Sequence, residues 1–204
     1  MKSHDKKLTA SEKTKQMVYI ALFAALTACI AQISIPMPSG VPLTLQTFAI
    51  AFAGFFLGWK YGLAAIGIYV LLGAVGVPVF ANFTGGIQKL VGVTGGFIWG
   101  FLFLAAFSGA NWGGRGAVVR IASGLLGLII CHVAGILQYA LVTENGWGAS
   151  ALAVSVPYIA KDILSVILAY KAAEVISKRL SNPLADRSAC LRTLENTGAD
   201  RRKL

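Results

Sequence analysis

The segment from Gly76 to Gly100, GVPVFANFTGGIQKLVGVTGGFIWG, constrains the fold more than any other part of the chain. It is dense in glycine yet apolar, and its few polar side chains (Asn82, Thr84, Gln88, Lys89, Thr94) lie between two long hydrophobic runs. Glycine at this density breaks helix and lets backbone approach a ligand or another helix closely. Irregular backbone at membrane depth persists only where it is buried in protein or lines a cavity, because unpaired amides in hydrocarbon cost several kcal/mol each. The segment therefore reads as the lid or floor of a small-molecule pocket in a membrane protein.

Composition agrees with that reading. Only 13% of the 204 residues are charged and mean hydropathy is +0.72, against about 25% charged in soluble domains. A net charge of +10 raises the question of nucleic acid, but the cations cluster at the two ends of the chain instead of forming a basic groove. Cys29 and Cys131 sit in apolar runs and Cys190 in a polar tail, a pattern with neither metal-ligand spacing nor a disulfide framework.

The expected fold is an all-α membrane protein with six transmembrane helices and three segments: residues 1–16, a polar cytoplasmic N-terminus; 17–180, the transmembrane domain; and 181–204, a disordered cytoplasmic tail. The first span runs from Met17 to Ile35. Leu26-Thr27-Ala28-Cys29 resembles a lipoprotein cleavage box, but the apolar run continues beyond it and further spans follow, so the segment is kept as a helix. Ile35 to Pro42 breaks the chain with three prolines and a glycine. The later spans are expected at Leu43–Gly58, Gly62–Val75, Gly95–Phe107, within Ala117–Val142, and from Pro157 to Lys178, with a turn at Thr143 to Ala149 and a loop around Asn111, Trp112 and Arg115. Apart from Lys89 and Lys161, every lysine and arginine then falls on one side, which the positive-inside bias makes cytoplasmic, together with both termini. The glycine-rich segment becomes an outer loop over the pocket.

Ionisable residues on the outer half are the first candidates for chemistry. Asp162 leads, with Lys161 and Lys89 as cations that could meet an anionic group. Lys161, one residue before Asp162, points to a different helix face and could instead snorkel. Thr44, Gln46 and Asn82 supply hydrogen-bonding groups, and Phe80, Phe83, Tyr158 and Trp99 could enclose an apolar body. His132 and Gln138 read as interhelical hydrogen-bonders, and Glu174 as a partner of Lys171 or Lys178. Ala21 and Ala25, with Ala24 and Ala28, form ridges at a spacing of four that suit either a partner helix or packing within the bundle. Ser123 and His132 share one helix nine residues apart, too distant for a nucleophile and its base, so an intramembrane enzyme is the remote alternative.

These stretches resemble a known family. VPLTLQTF (Val41–Phe48), GVPVFANFTGG (Gly76–Gly86), GVTGGFIWGF (Gly92–Phe101) and PYIAKD (Pro157–Asp162), in this order and spacing, are similar to the BioY family, the biotin-binding membrane component of energy-coupling factor (ECF) transporters. The resemblance spans about residues 17 to 178. Departures are Val93 for the usual proline, Phe97 for tyrosine, Lys161 for glycine, and Ser165 for a lysine. The resemblance implies biotin uptake across the cytoplasmic membrane of a bacterium, with no resident cofactor, metal or catalytic group. A transmembrane coupling protein and paired ATPases would energise transport, and this chain carries no GxxxxGK[ST] phosphate loop. Asp162 would accept from the ureido N–H groups, Asn82 or Gln46 would complement them, Lys161 or Lys89 would meet the carboxylate, and the Ala21–Ala25 ridge would serve coupling. A binding component for another vitamin is the nearer alternative.

The topology has a direct test in a variant whose native cysteines are replaced by serine. Ser3→Cys and Asn196→Cys should be shielded from an impermeant thiol reagent in intact cells, and Ser39→Cys should react; the reverse pattern would invert the assignment.

Overall fold

The computed structural model describes residues 10–110 and 116–179. The expected loop around Asn111, Trp112 and Arg115, the tail 181–204 and the first nine residues lie outside the described residues. The described chain forms eight α-helices: α1 (Ala10–Ala31), α2 (Gln46–Leu57), α3 (Trp59–Val75), α4 (Ile87–Val91), α5 (Gly95–Gly109), α6 (Ala117–Thr143), α7 (Trp147–Val154) and α8 (Val156–Arg179). A two-stranded antiparallel ribbon pairs β1 (Ser34–Ile35) with β2 (Leu43–Thr44) in the register Ser34↔Thr44 and Ile35↔Leu43.

Each of the six expected apolar runs contains one helix of at least 12 residues, with shifted ends. α1 is helical from the first described residue, Ala10, ahead of the expected Met17, because Ala, Glu and Lys in Ala10–Gln16 are good helix formers whose charged ends reach water without breaking the backbone ladder. It stops at Ala31, four residues before the expected end, and the β-branched Ile35 enters the ribbon. The proline-rich break is thus the loop of a small hairpin, and that hairpin presents Thr44. The expected turn from Thr143 to Ala149 is shorter than predicted: after Gly146 the alanine-rich Trp147–Val154 forms α7. In the glycine-rich segment, a short 3-10 turn (Ala81–Phe83) and the five-residue α4 are all the helix that the backbone makes.

α2 is the central element. Nearly all of its residues are buried, and it packs against α8, α5, α3 and α1. At 1.5 Å per residue it extends only about 18 Å, short of a bilayer core of roughly 30 Å. By length and composition α1 and α6 can each cross a membrane, and α7 with α8, bent by 52° at their junction, would make a third crossing; α2, α3 and α5 are shorter apolar helices. The outward faces carry exposed Leu71, Val75, Ile129, Val133, Leu141, Leu164 and Leu168. Large apolar side chains exposed in this number suit lipid better than water.

Two places show why glycine is used. Gly54 on α2 lies so close to α5 that an added Cβ would sit 2.8 Å from Ser108 Cβ and closer still to the Ala105 carbonyl. Gly73 on α3 lies under the Phe80 ring, where a Cβ would overlap ring atoms. Phe80 sinks into that space, 3% exposed, and meets the edge of Tyr69 at 5.6 Å between centroids.

The alanine ridges separate. Ala24 is buried in the core with Phe23 and Thr27 and Ala28 is half-buried, while Ala21 and Ala25 are exposed. Ala24→Trp should therefore prevent folding or lower the thermal midpoint sharply, an overpacking cost of at least about 1–3 kcal/mol. Ala25→Trp should leave the midpoint in detergent unchanged; equal losses in both variants would contradict the assignment of faces.

Candidate functional site

Burying a carboxylate obliges the fold to surround it with donors. Asp162, one turn and a half into α8, is 5% exposed and is held from two sides. Its Oδ1 lies 2.5 Å from Lys161 Nζ, its Oδ2 lies 3.4 Å from Nε2 of His132 on α6, and Thr47 of α2 lines the same cavity. His132 completes its own bonding through Nδ1, 2.7 Å from Ser155 Oγ in the kink between α7 and α8. A carboxylate only accepts, so the Nε2–H faces Asp162 and Nδ1 accepts the Ser155 hydroxyl proton in the neutral ring.

Ser155, His132 and Asp162 thus have the hydroxyl, imidazole and carboxylate connectivity of an acyl-transfer triad. Ser155 is buried and lies outside the cavity wall, so its hydroxyl has no route to a substrate carbonyl. The array is a buttress for Asp162. Ser123, the serine considered from the sequence, donates instead to the Phe107 carbonyl at 2.6 Å.

Asp162 opens onto a cavity with about 770 Å³ of empty space, part of it open to solvent. All eight residues proposed from the sequence for substrate binding line it: Thr44, Gln46, Phe80, Asn82, Lys89, Tyr158, Lys161 and Asp162. They arrive from β2, α2, the glycine-rich segment, α4 and α8. Phe83 and Trp99 do not line it. Phe83 follows a left-handed Asn82 and is turned outward, 72% exposed, and Trp99 lies on the outer face of α5. The apolar wall comes instead from Val41, Phe97, Ile98, Phe101 and Val154. Phe97 and Phe101 could have been picked out by their spacing of four on α5, the face opposite to Trp99.

The polar groups differ in how free they are. Lys161 does not snorkel: its ammonium bonds the Thr44 carbonyl at 2.5 Å besides Asp162, so it ties α8 to β2. Gln46 is engaged at both ends of its amide, accepting from Thr44 Oγ1 at 3.0 Å and donating to Tyr69 Oη at 2.6 Å. The Tyr158 hydroxyl donates to the Val41 carbonyl at 2.5 Å. By contrast, no hydrogen bond or ion pair engages the Lys89 ammonium among the described residues. Asn82 uses its carbonyl oxygen to accept from Ser34 Oγ at 2.8 Å, and its NH₂ group remains for a ligand.

Two glutamines fix the irregular backbone beside the cavity. Gln138 on α6 donates to the carbonyls of Leu90 and Gly92 at 2.8 and 2.9 Å, closing the end of α4. Gln32, just past α1, bonds the carbonyls of Val79 and Phe80 and the amide of Phe83. The sequence points to Gln138 as an interhelical hydrogen-bonder; Gln32 looked like part of an apolar run. Glu174 pairs with both Lys171 and Lys178, at 3.8 and 2.9 Å.

Comparison with known proteins gives a consistent result. The model of the BioY family matches residues 2–182. The chain is 40% identical over 162 residues to "Probable biotin transporter BioY" of Pyrococcus horikoshii, covering 79% of this chain and 96% of that protein. It is 38% identical over 156 residues to "Biotin transporter BioY" of Thermotoga maritima, covering 76% and 91%. Its fold is similar to a crystal structure described as the S-component for biotin from an ECF-type ABC transporter, with a TM-score of 0.75 and 25% identity over 84% of this chain and 95% of that one.

If His132 buttresses Asp162, His132→Leu should lower stability by about 1–3 kcal/mol by leaving buried polar groups unpaired. Ser155→Ala should cost less, and the double variant little more than His132→Leu alone, because the two side chains share one bond. Strict additivity in thermal or denaturant unfolding would show that the bond is not made.

Proposed function

The chain belongs to the BioY family, and from that premise we propose that it captures biotin on the outer side of the cytoplasmic membrane and delivers it inward. The observation that carries this reading is one cavity in which a carboxylate, an unspent amide, a free ammonium and an aromatic wall face the same space. Biotin has a part for each: ureido N–H groups for Asp162, the ureido carbonyl for the Asn82 NH₂, a valerate carboxylate for Lys89, and a thioether body for Val41, Phe97 and Phe101. Because Lys161 is already spent on Asp162 and Thr44, the geometry favours Lys89 as the carboxylate's partner.

The accompanying topology is six membrane crossings with both termini cytoplasmic. Support comes from the apolar helices α1, α2, α3, α5, α6 and α8, the apolar exterior and the distribution of lysine and arginine. The short α2 fits as a crossing enclosed by its neighbours rather than by lipid. Transport is a binding and release process with no catalytic step. ATP hydrolysis would come from a pair of ATPase partners through a transmembrane coupling subunit, with the exposed Ala21 and Ala25 face as the docking surface.

Equilibrium binding to the purified protein tests the reading. Biotin should bind, thiamine and riboflavin should not, and Asp162→Asn should weaken biotin about ten- to a hundredfold through loss of a charge-assisted hydrogen bond. The neutral biotin amide should bind the wild type less well than the acid; this preference should vanish in Lys89→Ala and survive in Lys161→Ala. In cells, Ala25→Trp should lower uptake with binding intact. Tighter binding of thiamine or riboflavin would move the chain to another vitamin, and normal biotin affinity in Asp162→Asn would overturn the pocket assignment.

A further inference from the structure

The pocket arm from Val79 to Thr84 is a costly piece of backbone. Asn82 and Phe83 both have left-handed φ values, 58° and 53°. A bulky aromatic residue adopts that region only where its surroundings impose it. The arm closes on itself through Phe80 and Thr84, whose backbone groups exchange hydrogen bonds of 2.9 and 3.3 Å. Within that small loop, however, the strained Phe83 amide is bonded by a side chain from elsewhere: it donates to Gln32 Oε1 at 2.8 Å.

Gln32 meets the arm at both ends. Its Nε2 lies 3.3 Å from the Val79 carbonyl and 3.2 Å from that of Phe80, and it also reaches back to the Ala28 carbonyl on α1 at 3.0 Å. These partners fix the amide's orientation, since three carbonyls require the NH₂ end and an N–H requires the oxygen. Two residues on, Ser34 holds the Asn82 side chain. Gln32 itself does not line the cavity, whereas Phe80, Ala81, Asn82 and Thr84 do.

We infer that Gln32 is a positioning residue for ligand retention: its side-chain amide clamps the Val79–Phe83 arm to the end of α1 and thereby holds Phe80 and Asn82 against the bound substrate. The inference rests on the functional reading above for the identity of that substrate. Its chemistry is specific. Glutamate at this position has the same shape but presents only acceptors to the Val79 and Phe80 carbonyls. Methionine keeps the length and loses every hydrogen bond.

The test uses the full chain in detergent or nanodiscs, with Gln32→Glu, Gln32→Met and Ser34→Ala compared with the wild type. In the absence of ligand, hydrogen exchange of peptides covering residues 79–84 should speed up in both Gln32 variants, with peptides from α5 and α6 unchanged. Biotin dissociation should accelerate about tenfold, the size expected for loss of the amide's net hydrogen bonding, while association changes less than about threefold. Ser34→Ala, which frees one side chain and not the backbone, should give a smaller change in both. A general loss of stability would instead raise exchange in α5 and α6 and lower the thermal midpoint, and that outcome overturns the inference. So does unchanged exchange in Gln32→Met, or faster exchange with wild-type biotin dissociation. A wild-type protein that binds no biotin overturns the functional reading and not the clamp, which the exchange rates of the arm then decide alone.

Discussion

Much of this structure follows from burying one carboxylate. An ionised group removed from water costs several kcal/mol even after relaxation, and only close partners offset that. Asp162 obtains them from two helices: Lys161 on its own helix and His132 on α6. Both partners are themselves anchored, Lys161 by the Thr44 carbonyl of β2 and His132 by Ser155 at the α7–α8 kink. Removing any member leaves another buried polar group unpaired. The cavity wall is therefore set by linked polar contacts as much as by apolar packing, and the carboxylate is presented in one orientation.

The second constraint is the backbone of the glycine-rich segment. Glycine allows the chain to turn there, but leaves peptide groups without the regular ladder that satisfies a helix. The fold meets that demand with long amides placed on regular structure, Gln138 on α6 and Gln32 at the end of α1. Irregular backbone thus becomes a defined surface because flanking helices supply its missing partners.

Sequence reasoning reached the helices through their apolar runs, reached six of the eight cavity residues through polarity left in apolar surroundings, and reached Phe80 and Tyr158 as aromatic rings able to enclose an apolar body. It missed α7, because an eight-residue helix between two longer ones carries no periodicity distinct from a loop. It started the first span at Met17, although α1 is already helical at Ala10, the first described residue, because hydrophobicity marks where lipid begins and not where hydrogen-bonded helix begins. Phe83 and Trp99 were misjudged for a related reason: which way an aromatic ring turns depends on a left-handed residue or on a helix phase set by packing. Lys161 shows the limit most plainly. Its neighbour in sequence is its ion-pair partner in space, although adjacent helical positions do not normally face each other. The length of the lysine side chain makes up the difference.

Gly73 carries a consequence for the size of what the cavity admits. The Phe80 ring occupies the place where any other residue would put its first side-chain carbon, and that ring is part of the cavity wall. A methyl group on α3 would overlap that ring, so one of the two would have to shift. The shape of the site thus depends on a residue that does not line it, and a side chain at position 73 would disturb the wall at Phe80 without altering a contact group.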